Sequence, residues 1–475
     1  MSLTDKTFKS SLWSIVDVLL RQGIGFLISI VLARLLMPSD YGTIGILMIF
    51  IAISNVFVDS GFSTGLIRKL DRTKDDLSTA FVFNIAVGTI VYCILFITAP
   101  VIASFFNNQE LVLLLRVLGL ILIINSFNLV QNAILIYTMR IRQLTIISAI
   151  AQVSTGTVAI ALAYAGWGVW SLILQQIFSA SLTTILLFAK TGWLPKITFN
   201  KKSFNYLWSF GSKLLITNLI STICGQMYSF FIGKYMGKRD LGLYTRADSF
   251  SRQPLNIFNN IINKALVPSL AACQNDADRL RYNYKKCIEV MSFVGFPVMF
   301  CLSAVSSPLF NLLFGKKWEE AIPLFQILCI GFAISIVGGV TLQLIQVMGR
   351  SDYTLKLELV KKPIFIIFVI IGCSIGIKGI VVFSALYELV GTLINLSVVH
   401  TLLHYSYHRQ LFDILKYLLL AVLIYIPSLV MVNCLVISDI LLVLFIPLIY
   451  FVCYLVFSYI THIKGLIYIK ELIRR

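Results

Sequence analysis

The sequence is short of charge. Only 13% of its 475 residues are Asp, Glu, Lys or Arg, against about 25% in water-soluble domains, and no polar stretch is long enough to hold a soluble domain. Acidic residues are the scarcer sign, 21 against 39 Lys and Arg. The nine cysteines are scattered singly, without a CxxC pair or a metal-ligand spacing, which argues against a zinc site and against a disulfide framework. Most lie in apolar runs, where Cys packs as a small hydrophobe. Of four histidines, His400, His404 and His408 recur at four-residue steps. With no Cys or acidic cluster on that face, they read as a solvated helix end rather than a metal site. A cleavable signal peptide is not expected, because the first apolar span is too long and lacks a small-residue cleavage site.

What the sequence does have is one apolar run after another, 58% of it hydrophobic. About 20 mostly apolar residues cross a bilayer as a helix. Fourteen such spans are expected, near 11–36, 42–66, 77–99, 111–137, 144–165, 168–189, 207–233, 242–268, 285–307, 321–347, 356–376, 379–403, 413–434 and 440–460. The fold class is therefore all-α integral membrane. Alternate loops hold about 26 Lys and Arg against about 6 in the others, and the basic side is cytoplasmic. Fourteen crossings then leave both termini in the cytoplasm. This placement accounts for the net charge of +18 through topology and contact with anionic membrane lipid. It argues against nucleic acid, since no basic surface faces away from the membrane.

The chain repeats itself. Leu12-Trp13-Ser14 opens a stretch that closes with Asp40-Tyr41-Gly42, and Leu207-Trp208-Ser209 opens one that closes with Asp240-Leu241-Gly242. Gly166-Trp167-Gly168 before span 6 is echoed by Gly376-Ile377-Lys378-Gly379 before span 12. Six spans per copy is an even number, so the copies share one orientation and their pseudo-twofold axis follows the membrane normal. The expected organisation is an N-lobe (1–200, spans 1–6), a C-lobe (201–403, spans 7–12), and residues 404–475 carrying spans 13 and 14 and a basic tail. That tail reads equally as a short interfacial helix or a plain hydrophilic end.

Polar residues at membrane depth are the candidate site. A cation at the bilayer centre costs about 2.5–3.5 kcal/mol on insertion scales, so such residues face a bundle interior or a wet cavity. Arg21 is near the middle of span 1, with Gln22 beside it and Asp17 one turn earlier on the same face. Either Asp17 and Arg21 cancel each other, or Arg21 stays available to an anion with Asp17 tuning it. Lys213 lies within span 7. In span 8, Arg246, Ser249, Gln253, Asn256, Asn260 and Asn263 recur at steps of three and four, with Arg252 beside them and Pro254 expected to kink the helix. This stripe lines water or substrate, or forms an interhelical hydrogen-bond seam. Asn125, Asn128 and Asn132 share a face of span 4; alone they are packing residues, while together with the polar face of span 5 they imply a cavity. Glu358, Glu388 and Thr392, one turn beyond Glu388, are candidates for Na+ or H+ coupling, although Glu358 has Lys361 and Lys362 as ready partners on its own helix.

The run Ala33-Arg34-Leu35-Leu36-Met37-Pro38-Ser39-Asp40-Tyr41-Gly42 resembles the ARLL-x-P-x-DYG signature of bacterial polysaccharide exporters. These are Wzx-type flippases for lipid-linked oligosaccharides, within the multidrug/oligosaccharidyl-lipid/polysaccharide (MOP) superfamily. Gly61-Phe62 and Gly166-Trp167-Gly168 look like the same family. The resemblance implies a non-enzymatic transporter of the bacterial cytoplasmic membrane that needs no cofactor. Its substrate would be an undecaprenyl-pyrophosphate-linked glycan, and its partners the polysaccharide polymerase and chain-length machinery. Relatives that flip the peptidoglycan precursor use arginines on spans 1 and 8, which by span match Arg21 and Arg246. They also hold a cation among spans 7, 11 and 12, for which Glu358, Glu388 and Thr392 are loose candidates. On this basis Arg21, Arg246 and Arg252 would grip the pyrophosphate through charge-assisted hydrogen bonds. The alternatives are a drug or metabolite antiporter of the same superfamily, disfavoured by the midspan excess of Arg, and a membrane polymerase or glycosyltransferase, disfavoured by the short external loops.

Overall fold

The computed structural model describes residues 23–435 and 437–473. Asp17, Arg21 and Gln22 lie outside them. The described residues are helical with no strand. Among them, eleven helices are long and apolar enough to cross a membrane. The other expected spans are helices too, but differ in kind. The described part of span 1 is α1 (Gly23–Leu35), short and apolar. Span 8 begins as α9 (Lys238–Ile261), too polar for that set. Span 11 is α14 (Ser351–Ile375), which carries Lys356, Glu358, Lys361 and Lys362.

The chain forms two compact units, Met1–Gly242 and Leu243–Arg475. The first is built from α2 (Pro38–Asp59), α3 (Phe62–Arg68), α4 (Lys74–Phe105), α5 (Glu110–Tyr137), α6 (Ile141–Tyr164), α7 (Val169–Thr191) and α8 (Lys201–Tyr235). Span 2 is not the unbroken helix expected of 42–66. It breaks between α2 and α3, where Ser60 and Gly61 both take positive φ (46° and 71°). The break makes room for a close crossing, since a Cβ at Gly61 would lie 2.9 Å from the Gly211 Cα of α8. α4 starts at a capping box in which the Thr73 hydroxyl accepts from the Asp76 N–H (3.2 Å) and the Asp76 carboxylate accepts from the Thr73 N–H (2.7 Å). Such a cap contributes about 1 kcal/mol.

In the second unit, α9 continues through Pro254, and a π turn, Ile262–Leu266, leads from it into α10 (Val267–Ala271). α11 (Ala277–Ala304), α13 (Ala321–Val347), α14 and α15 (Ile377–Leu403) form its packed body, with a short unforeseen α12 (Ser306–Leu313) between α11 and α13. α16 (Tyr407–Cys434) and α17 (Asp439–Ile460) follow, and the tail is a helix, α18 (Lys464–Ile473), packed on α11. His404 has a left-handed backbone (φ 50°) after the end of α15, so the three spaced histidines do not share one helical face. Basic residues near the starts of α11 and α16 are drawn to buried acidic ones. Glu289 of α11 is buried against Lys416 (2.9 Å) and Tyr417 (3.3 Å) of α16, Asp413 pairs with Lys285 (2.7 Å), and the Gly465 N–H of α18 donates to the Tyr417 hydroxyl (3.1 Å).

Polarity is inverted relative to a soluble protein. Ile90, Ile94, Ile97 and Val101 of α4 and Leu419, Leu423, Ile426 and Val430 of α16 are exposed, while Asn84, Gln131 and Glu289 are buried. Exposed apolar faces of this extent belong against lipid.

Candidate functional site

α9 separates its two faces by helical period. Ala247, Ser251, Leu255, Phe258 and Ile262 are buried, while Ser249, Asn256 and Asn263 are exposed and Gln253 and Asn260 partly so. From Ser249 onward the polar residues share the less buried face, whereas Arg246 at the head of the stripe does not, and the two arginines part company. Arg246, only 5% exposed, places its guanidinium over the Phe314 ring, 4.1 Å from the centroid, with Trp318 at 6.0 Å. Arg252 keeps 47% of its side chain exposed while bonding Asp248 (2.7 Å), and it lies over Phe332 at 4.8 Å. Lys213 is exposed on α8 in the other unit.

Two polar cavities lie inside the units. In the first unit, a cavity of about 560 Å³ is lined by Asn55 and Asp59 of α2, Asn125, Asn128 and Asn132 of α5, and Gln176, Ser179 and Thr183 of α7. The Asn125 amide donates to Asn55 (3.3 Å). Beyond the α5 row expected from the sequence, Gln176, Ser179 and Thr183 of α7 also recur at steps of three and four, but which helices face one another is not written in the sequence.

In the second unit, a cavity of about 240 Å³ is lined by Asn259, Ser335, Lys361, Tyr387, Glu388, Thr392 and Asn395. It brings together Glu388 and Thr392. Glu358 instead binds Lys361 (3.1 Å) and Lys362 (3.3 Å) on its own helix. Lys361 is the residue the charge pattern misplaces. Counted with the cytoplasmic loops, it is 7% exposed within α14, paired with Glu358 and lining the same cavity as Glu388. Thr392 donates to the Ile334 carbonyl and Asn395 to that of Gly338, both at 3.4 Å. Among the described residues, no cluster of three or more His, Cys, Asp or Glu is placed to hold a metal ion.

A family model described as "Polysaccharide biosynthesis protein" matches residues 31–323. The chain belongs to this family. Its relatives include the lipopolysaccharide biosynthesis protein WzxC of Escherichia coli (strain K12), 24% identical over 86% of this chain and 84% of that protein. The succinoglycan biosynthesis transport protein ExoT of Rhizobium meliloti (strain 1021) is 24% identical over 68% of this chain and 65% of its own. Among solved structures, the lipid II flippase MurJ in an inward closed conformation superposes over 96% of this chain and 99% of its own, with a TM-score of 0.78 at 15% identity; that likeness is one of fold. In this member of the polysaccharide biosynthesis family, the residues of the ARLL-x-P-x-DYG run have structural work. Asp40 caps α2 by accepting from the Met37 N–H (2.9 Å). Gly168, at φ 51°, is placed so that a Cβ would come within 3.5 Å of the Asp40 carboxylate, so the two motifs meet.

Proposed function

We propose that the chain is a flippase that moves an undecaprenyl-pyrophosphate-linked oligosaccharide from the cytoplasmic to the outer leaflet of the bacterial inner membrane, for surface polysaccharide synthesis. The observation that carries this reading is the union of polysaccharide-family membership with a whole-chain flippase fold. The polar cavities and the accessible Arg252 are its physical support, since a compact anion and its sugars need fixed donors to cross a low-dielectric layer. In this reading Arg21, Arg252 and Arg246 serve the pyrophosphate, assisted by Lys213, Asp17 and Gln22, and Gln253, Asn256 and Asn260 face the passing sugars. The repeat copies 1–200 and 201–403 are the moving lobes, both termini are cytoplasmic, and the polymerase and chain-length machinery act on the delivered unit. Glu388 and Thr392 are assigned to ion coupling, and Glu358 to holding Lys361.

The test is a deletion strain analysed for lipid-linked saccharides. It should lose surface polysaccharide and accumulate an intact undecaprenyl-pyrophosphate-linked unit on the cytoplasmic side. Loss of polysaccharide with no such intermediate would refute the reading. Transport into vesicles that is unchanged when both sodium and proton gradients are collapsed would remove the coupling role of Glu388.

A further inference from the structure

The 560 Å³ cavity of the first unit lies within the size range of small-molecule sites, about 300–1,000 Å³. Its chemistry is selective. Asn55, Asn125, Asn128, Asn132 and Gln176 each offer amide donors and a carbonyl acceptor. Asp59 adds a carboxylate. Two acceptors are buried without a partner among the described residues, Asp59 Oδ1 and Asn128 Oδ1. A buried unpaired acceptor costs about 1–3 kcal/mol until a donor reaches it. A pyrophosphate brings only acceptors and negative charge, so it would worsen both atoms and meet Asp59 as a like charge. A sugar hydroxyl both donates and accepts, and an acetamido group pairs with an amide in both directions. A uronic acid brings another carboxylate to Asp59.

We propose that this cavity is the subsite for a neutral saccharide residue of the substrate, and that Asp59 selects against uronic acids there. The inference rests on the flippase reading and adds the class of sugar that this subsite accepts. The pyrophosphate is bound elsewhere, and the amide walls of α2, α5 and α7 read the glycan.

The test uses the full chain in lipid nanodiscs and three synthetic probes: citronellyl pyrophosphate, and the same lipid bearing N-acetylglucosamine or glucuronic acid. The wild type should bind the N-acetylglucosamine probe about tenfold tighter than the sugarless one, two or three net hydrogen bonds at the low end of their usual worth, and should not prefer the glucuronyl probe. Asn128→Leu should abolish the neutral-sugar advantage while leaving citronellyl pyrophosphate binding intact, which also reports a folded protein. Asp59→Asn, nearly isosteric, should raise glucuronyl binding. Equal binding of the sugarless and neutral probes by the wild type overturns the inference, as does a neutral-sugar advantage that survives in both variants. Failure of the wild type to bind any pyrophosphate probe sinks the flippase reading itself and is a distinct result.

Discussion

Gly42 and Gly242 each press on the start of the other's helix. A Cβ at Gly42 would fall within the Lys238 carbonyl, and one at Gly242 within the Pro38 carbonyl and 3.0 Å from the Gly42 nitrogen. The contact is reciprocal: Pro38 and Lys238 stand at matching places ahead of the two Asp-x-Gly sequences. Backbone thus lies on backbone where the two copies of the repeat begin these helices.

Gly42→Ala and Gly242→Ala should each prevent this contact, because a carbonyl on a helix cannot swing aside as a side chain can. Both variants should lose monodisperse protein in detergent, seen by fluorescence-detected size exclusion. Gly225→Ala is the control. Nothing lies within 4 Å of its added methyl, and Ala is favoured over Gly in a helix by about 1 kcal/mol. A monodisperse Gly42→Ala protein with wild-type melting would reject the contact.

The Asp-x-Gly echo was visible in the sequence, but its meaning was not, because a string shows recurrence and not which backbones touch. The same limit separates the readable from the unreadable in the cavities. The Asn125, Asn128 and Asn132 row could be read from one helix's period, whereas Asn55, Asp59 and Gln176 join it only through tertiary packing. Glu358 with Lys361 and Lys362 was legible as a local pair; Lys361 beside Glu388 required two helices to meet. The break at Ser60 gave no warning, since its positive φ is imposed by the crossing of α8 at Gly211. The aromatic seat of Arg246 comes from Phe314 and Trp318, far along the chain, so midspan position alone could not tell Arg246 from Arg252.

Those two arginines should therefore fail differently. Arg252 is accessible and Arg246 is sandwiched against Phe314. Arg252→Ala should lower flipping of a labelled lipid-linked glycan in proteoliposomes by at least about tenfold at near-normal melting temperature. Arg252→Lys should recover part of it, since an ammonium loses the bidentate fork. Arg246→Ala should first lower the melting temperature, a desolvated cation–π contact being worth about 2 kcal/mol. The opposite assignment of the two defects would exclude this division. Arg21→Ala, at the head of the proposed grip, should abolish flipping with normal membrane insertion.

Lys416 tests how the last helices are held. Its ammonium lies 2.9 Å from Glu289 and 3.4 Å from Asp413, and Glu289 is fully buried. Lys416→Met strips the nearest cation from a buried carboxylate; Lys285, at 3.9 Å, compensates in part. Breaking a buried pair costs about 3–5 kcal/mol, so the loss should approach the lower end and appear as a lower melting temperature. Glu289→Gln in the same background should restore stability. A double variant no better than Lys416→Met would mean that the charge pairing contributes little.

The pair across the small cavity supplies the sharpest electrostatic prediction. Lys361 and Glu388 stand on different helices and both line the cavity, Lys361 buried and Glu388 partly buried. Lys361→Met removes one of the two cations near Glu388, the other being Arg252, while Glu358 retains Lys362 at 3.3 Å. Glu388→Gln leaves Lys361 with Glu358 alone. Each single variant should be destabilised, and the double variant Lys361→Met/Glu388→Gln should be less so than the sum, with a coupling energy within about 0.5–3 kcal/mol for residues sharing one site. Thermal melts of all four proteins in one detergent close the cycle. Strict additivity, within about 0.5 kcal/mol, would show that the two charges do not interact. If they do, the lysine shares with Arg252 the positive charge that faces Glu388, and Glu388→Gln should make vesicle transport insensitive to the driving gradient. Transport in that variant that still follows the gradient would separate Glu388 from coupling while leaving its pairing with Lys361 intact.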